Sequence, residues 1–94
     1  LPESFTLGQN YPNPFNPETN IPFTIAMPSY VQISIYNLLG QKVVSLESRW
    51  FDMGQYNVRW NGKDAQGNQL STGVYIYSLE SAEFRKAKKL ILMK

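Results

Sequence analysis

Apolar residues recur at every second position through most of this chain. Ile21, Phe23 and Ile25 share one face of a strand that ends at Met27-Pro28. Val31, Ile33 and Ile35 share another face, with Gln32, Ser34 and Tyr36 opposite. Asn37-Leu38-Leu39-Gly40 supplies turn chemistry, and Gly40 suits a positive φ. Residues 41–47 read as the return strand, burying Val44 and Leu46, so residues 30–47 predict a β-hairpin. Residues 49–53 read as an irregular connection. Gly54 opens a strand with Tyr56, Val58 and Trp60 on one face. A polar stretch, residues 61–72, precedes a strand over 74–81, where Tyr75, Tyr77 and Leu79 alternate with Val74, Ile76 and Ser78. A last strand runs over about 84–93. Roughly six or seven short strands at this spacing, with no amphipathic helix between them, predict an all-β antiparallel sandwich.

The opening is different. Pro2, Pro12, Pro14 and Pro17 alternate with Asn10, Asn13, Asn16 and Asn20 over residues 1–20. Proline fixes φ and removes a backbone donor, which excludes a helix or a central strand over 11–17. The expectation is an ordered extended or turn segment, packed on the sandwich and anchored by Tyr11 and Phe15. A plain linker is the alternative.

Composition narrows the chemistry. At 94 residues the chain is one domain with little room for a deep cleft beside its core. Aromatics at 14% and apolar residues at 43% are enough to fold it. There is no cysteine and no histidine, so no disulfide forms, and Cys–His and Ser–His–Asp catalysis are excluded within the chain. Zinc loses its two commonest ligands. The loop Asn61-Gly62-Lys63-Asp64 through Asn68 fails the calcium-loop spacing, with Asp64 as its one acid. Gly62 and Gly67 lack the Gly-Lys-Ser/Thr ending of a phosphate loop. The seven acids are scattered, and nothing pairs two of them across a cleft. No catalytic residue, metal or cofactor is expected. The opening has neither the basic nor the apolar segment of a signal peptide, and the chain reads as a domain cut from a longer protein.

The net charge of +2 hides an uneven distribution: residues 85–94 hold five of the nine basic residues and no acid. Three readings of this tail stand side by side. It binds a polyanion or anionic membrane, without a matching set of stacking aromatics. It is a solvated edge strand whose lysines block aggregation. Or it is a terminal strand offered to a receptor. Trp50, Phe51, Tyr36 and Tyr11 either form a carbohydrate platform or pack in a core or interface, and Trp60 reads as core.

Three blocks in order carry a family resemblance. The first is Asn10-Tyr11-Pro12-Asn13-Pro14-Phe15-Asn16-Pro17, followed by Thr19 and Ile21-Pro22-Phe23. The second is residues 31–43, then Gly54-Gln55-Tyr56 and Trp60-Asn61-Gly62-Lys63-Asp64. The third is Gly67, Leu70, Ser71, Gly73-Val74-Tyr75 and the ending Lys88-Lys89-Leu90-Ile91-Leu92-Met93-Lys94. Together they resemble the type A C-terminal sorting domain of the type IX (Por) secretion system. The resemblance implies an immunoglobulin-like sandwich of about seven strands, one sorting domain over residues 1–94 with its terminal strand at 84–94. It implies a non-enzymatic signal for export of an N-terminally fused cargo, held in the periplasm in transit and then surface-attached or secreted. The implied partners are the outer-membrane translocon, a shuttle and a sortase-like peptidase, with no nucleic acid. A weak homodimer through the terminal edge strand is also expected. The implied signal residues are Tyr11, Pro12, Asn13, Pro14, Phe15, Gly73, Val74, Tyr75, Lys88, Lys89 and Lys94. The middle block is also similar to the immunoglobulin-like domain of the flagellar hook-capping protein, which implies a structural spacer instead.

Overall fold

A computed structural model describes residues 4–82 and 84–93. Seven strands form among them: β1 (Thr6–Leu7), β2 (Thr19–Ile25), β3 (Ser29–Tyr36), β4 (Lys42–Phe51), β5 (Gly54–Trp60), β6 (Gly73–Glu80) and β7 (Arg85–Leu92). Each pairs antiparallel with its neighbours, in a three-stranded sheet of order β1-β2-β5 and a four-stranded sheet of order β4-β3-β6-β7. The two inner faces bury the alternating residues against each other, which is the antiparallel sandwich expected from the spacing. Ile21, Phe23 and Ile25 face Val31, Ile33, Ile35, Tyr77 and Leu79 across one continuous core. Each such aliphatic or aromatic side chain contributes roughly 1.5–3 kcal/mol by leaving water.

Several expectations need correction. Residues 49–51 are not a connection: Val31↔Arg49, Tyr30↔Trp50 and Ser29↔Phe51 keep β4 paired to its end. The two register shifts, opposite Ile33/Ser34 and Ile35/Tyr36, fall in the part of β4 already read as a strand; its end was hidden because Ser48, Arg49 and Trp50 are all exposed and show no period of two. Val44 and Leu46 are only half-buried, because β4 is an edge strand. Of the four aromatics considered as a platform, Phe51 is buried and Tyr36 half-buried, while Trp50 is 58% exposed. β1 was not expected at all. It is two residues long and lies against β2, with the hydroxyls of Thr6 and Thr24 2.6 Å apart.

Pro22 sits in β2, the middle strand of its sheet, yet costs no ladder bond there. Its carbonyl accepts from Gly8 N–H at 2.8 Å, so its donorless nitrogen lies on the β1 side. β1 has ended by then. A Cβ on Gly8 would stand 2.7 Å from Pro22 Cγ, so the ring and the glycine fit only together.

Candidate functional site

β7 is the edge strand of the four-stranded sheet. Tyr75↔Leu90 and Tyr77↔Lys88 are opposite pairs, so Lys86, Lys88, Leu90 and Leu92 face the sandwich interior. Arg85, Ala87, Lys89 and Ile91 face outward from the sheet. Lys88 and Lys89, adjacent in sequence, therefore point to opposite faces.

The proline-rich segment closes on this strand. Tyr11 and Asn20 exchange backbone hydrogen bonds at 2.9 and 2.8 Å, making residues 12–19 a closed loop. Asn10 Nδ2 donates to Thr19 Oγ1 at 2.9 Å, and Thr19 Oγ1 donates to Pro12 O at 2.9 Å. Both side chains are buried, and these bonds satisfy them. The peptide bonds before Pro12, Pro14 and Pro17 are cis. At the far side of the loop, Phe15 N–H donates to Ile91 O at 3.0 Å, and Met93 N–H donates to Phe15 O at 3.0 Å. Asn13 Oδ1 accepts from Ile91 N–H at 2.9 Å. The result is a parallel bridge, Phe15↔Leu92, that clasps the end of β7.

Phe15 is the hook of that clasp, with 1% of its surface exposed. Its ring lies 5.5 Å from Trp60, which lies edge-on 5.8 Å from Tyr75. Trp60 Nε1 donates to Lys63 O at 2.9 Å, so the indole is both packed and bonded. Gly62 has φ +76°, and a Cβ there would meet Gln69 Nε2 at 3.0 Å and Leu92 Cδ1 at 3.1 Å. Only glycine fits that backbone with Leu92 seated beneath it. The proline block, the tryptophan-glycine block, Tyr75 and the tail thus meet at one end of the sandwich.

Tyr77 fastens the start of the loop. Its hydroxyl donates to Gly8 O at 2.7 Å and accepts from Asn10 N–H at 2.9 Å. Burial pushes its pKa above the usual 10.0, and the Asn10 hydrogen bond partly offsets this.

The signal residues named from the sequence fall into two groups. Phe15 and Tyr75 are core. Gly73 pairs with Leu92 and Val74 with Ile91, next to the clasp. Pro12, Asn13 and Pro14 are exposed on the loop, Lys89 is exposed and Lys88 half-buried. Tyr11 is not an anchor: it is 53% exposed, and its hydroxyl donates to Asn57 Oδ1 at 3.4 Å. Lys94 lies outside the described residues. Sequence reasoning missed Asn10, Thr19 and Tyr77 as parts of this arrangement. The signal available for the first two was their position, a polar pair bracketing the proline run. Among the described residues no cluster of three or more Asp, Glu, His or Cys could hold a metal ion.

Two solved structures share this fold. Latent PorU from Porphyromonas gingivalis, crystallised as a dimer, matches 99% of this chain with a TM-score of 0.74 at 20% identity. PorZ from the same organism, described as an essential bacterial surface component of its type IX secretion system, matches 92% with a TM-score of 0.63 at 20% identity. This chain corresponds to only 10% and 11% of the length of those chains. No curated protein matches it in sequence. The model of the secretion system C-terminal sorting domain matches residues 9–93, from the loop through the end of β7, and the chain therefore belongs to that family, the non-catalytic sorting domains of type IX cargo proteins.

Proposed function

We propose that the clasped end of β7 is the part of the domain that the export machinery reads. The outer-membrane translocon, its shuttle and a sortase-like peptidase are the partners in this reading, and the route runs from periplasm to cell surface or medium. The observation that carries it is the convergence of residues from all three sequence blocks at the end of the last strand: Asn13 and Phe15, Trp60 and Gly62, and Gly73 beside Leu92. In this reading Phe15, Gly73 and Tyr75 hold the frame. Tyr11, Pro12, Asn13, Pro14, Val74, Lys88 and Lys89 form the surface that is touched, and Lys94 is the remaining residue of the signal. Residues 1–94 then act as a single sorting unit. Ser4 O accepts from Thr24 Oγ1 at 3.0 Å, and Phe5 stacks on Phe84 at 5.1 Å. A cargo fused before Ser4 therefore joins at the opposite end and leaves the clasp unobstructed.

The test is export of a fluorescent reporter with a signal peptide and this chain at its C-terminus, in a bacterium with type IX machinery. Deleting residues 88–94 would strip Leu90 and Leu92 from the core, so the informative variant is Lys88→Ala with Lys89→Ala. The expected result is unchanged folding and reduced export. Export of that variant at the unmodified level removes the lysines from the surface that is touched. A folded reporter that stays in the periplasm in both forms removes the reading.

One observation favours a second reading, binding of carbohydrate. Trp50 and Tyr30 are direct cross-strand neighbours, both exposed, lining a cleft of about 460 Å³ with Met27, Gln32 and Glu80. Polysaccharide pull-down that Trp50→Ala abolishes would support it, and no pull-down would end it.

A further inference from the structure

We propose that the open half of the β7 edge, around Ala87 and Lys89, is a strand-addition site for an extended acidic segment of a partner protein. The inference rests on the sorting reading, and gives its receptor a chemistry.

Backbone parity locates the site. In an antiparallel pair, alternate residues turn both N–H and C=O toward the partner strand, and those between turn them away. Ile91 N–H and C=O are bonded to Asn13 and Phe15, on the side away from β6. Residues 87 and 89 share that parity and turn outward too. The clasp uses the later outward groups: Ile91 N–H and C=O, Met93 N–H, and Lys89 O, which accepts from Gln9 Nε2 at 3.0 Å. Ala87 N–H, Ala87 C=O and Lys89 N–H have no partner among the described residues. A bare edge of this kind is a template for another strand. The opposite edge of the sheet, β4, is disrupted by two register shifts, whereas β7 pairs with β6 without one.

Charge selects the occupant. Lys86 and Lys88 flank the open rungs on one face of the sheet, Arg85 and Lys89 on the other. Arg85 is held 3.5 Å from Glu80, and the three lysines have no ion pair among the described residues. Side chains opposite one another on adjacent strands interact directly, attractively when the charges are opposite and repulsively when they are alike. A second copy docked through β7 would set lysines against lysines. An acidic strand meets cations on both of its faces.

The experiment uses the labelled 94-residue chain and a capped peptide, Thr-Glu-Glu-Val-Glu-Glu-Thr, whose carboxylates fall on both faces of an extended strand, with its Glu-to-Lys counterpart as control. Hydrogen exchange at the Ala87 and Lys89 amides is expected to slow by about tenfold at saturating acidic peptide, and binding to weaken with added salt. Ala87→Pro removes an outward N–H and no bond to β6, so it is expected to abolish binding while the chain stays folded. If Ala87→Pro unfolds the chain, Lys86→Glu with Lys89→Glu replaces it, with the same expected loss. The proposal is overturned if the acidic peptide leaves both amides unchanged, if the Lys peptide binds as well, or if the variants bind undiminished. Export separates the two readings: an Ala87→Pro reporter that leaves the cell as well as the unmodified one overturns strand addition and leaves sorting intact. An unmodified reporter retained in the periplasm overturns sorting, and the peptide titration still decides the edge.

Discussion

Tyr77→Phe deletes one oxygen and leaves a fully buried ring in place. The ring's packing in the core is kept, so the change isolates the hydroxyl, which donates to Gly8 O and accepts from Asn10 N–H. Asn10 is buried, and its N–H is left without a partner; the half-buried Gly8 carbonyl can recover water. Orphaning a buried backbone group costs about 1–3 kcal/mol, and the second, recoverable bond adds less than its full share. A total of about 2 kcal/mol is expected. In a domain of this size each kcal/mol moves Tm by roughly 4–8 °C, so a drop of about 8–16 °C should appear in thermal melts followed by circular dichroism. The variant also removes a titration. Burial raises the folded-state pKa of Tyr77 above 10.0. The stability this represents is fully present below pH 10 and is lost as pH rises through the folded value. The gap between the parent and Tyr77→Phe should therefore be constant below pH 10 and narrow above it. A drop in Tm under about 3 °C, or a gap that widens in alkali, would refute the reasoning, since either means the hydroxyl does not fasten residues 8–10.

Phe15→Ala should cost roughly 3–5 kcal/mol in urea unfolding and speed exchange of the Met93 amide, whose acceptor is Phe15 O. Asn13→Ala is milder: about 0.5–1.5 kcal/mol, with faster exchange confined to the Ile91 amide, and exchange unchanged there would show that Asn13 does not hold the strand. Gly62→Ala forces a positive φ on alanine and crowds Leu92, so a loss of at least about 1–2 kcal/mol is expected, and a neutral result would contradict the tight seat of Leu92. Lys88→Ala with Lys89→Ala should shift Tm by no more than a few degrees, because the pair makes no ion pair among the described residues.

The faces of β2, β3 and β6 were legible because their large apolar side chains fall on every second position, as Val31, Ile33 and Ile35 do, although the paired Ser34 and Ser78 on the other face are buried as well. The turn glycine at position 40 was legible for a backbone reason, and its φ is +84°. β1 was not, since two residues carry no period. The end of β4 was hidden because an edge strand exposes Arg49 and Trp50, on both of its faces. At the tail, Leu90-Ile91-Leu92-Met93 reads as one apolar run, yet only the leucines are buried. The same parity splits Lys88 from Lys89, which in sequence look like a single doublet. As for the site, its ingredients were visible and its clasp was not. Asn13 and Ile91 are 78 positions apart, and no local pattern reports on a pairing of that span.

That span bears on the order in which the strands can assemble. β7 leaves the ribosome after every other strand described here, so Phe15 has no neighbour at Leu92 until β7 has been made. A message broken short, or a chain clipped inside β7, would leave a phenylalanine and a proline loop loose on the surface. The clasp thus makes the order of the proline loop conditional on the presence of β7. Protease digestion of chains halted at residue 88 tests this: residues 12–19 should be cut there and resist in the full chain.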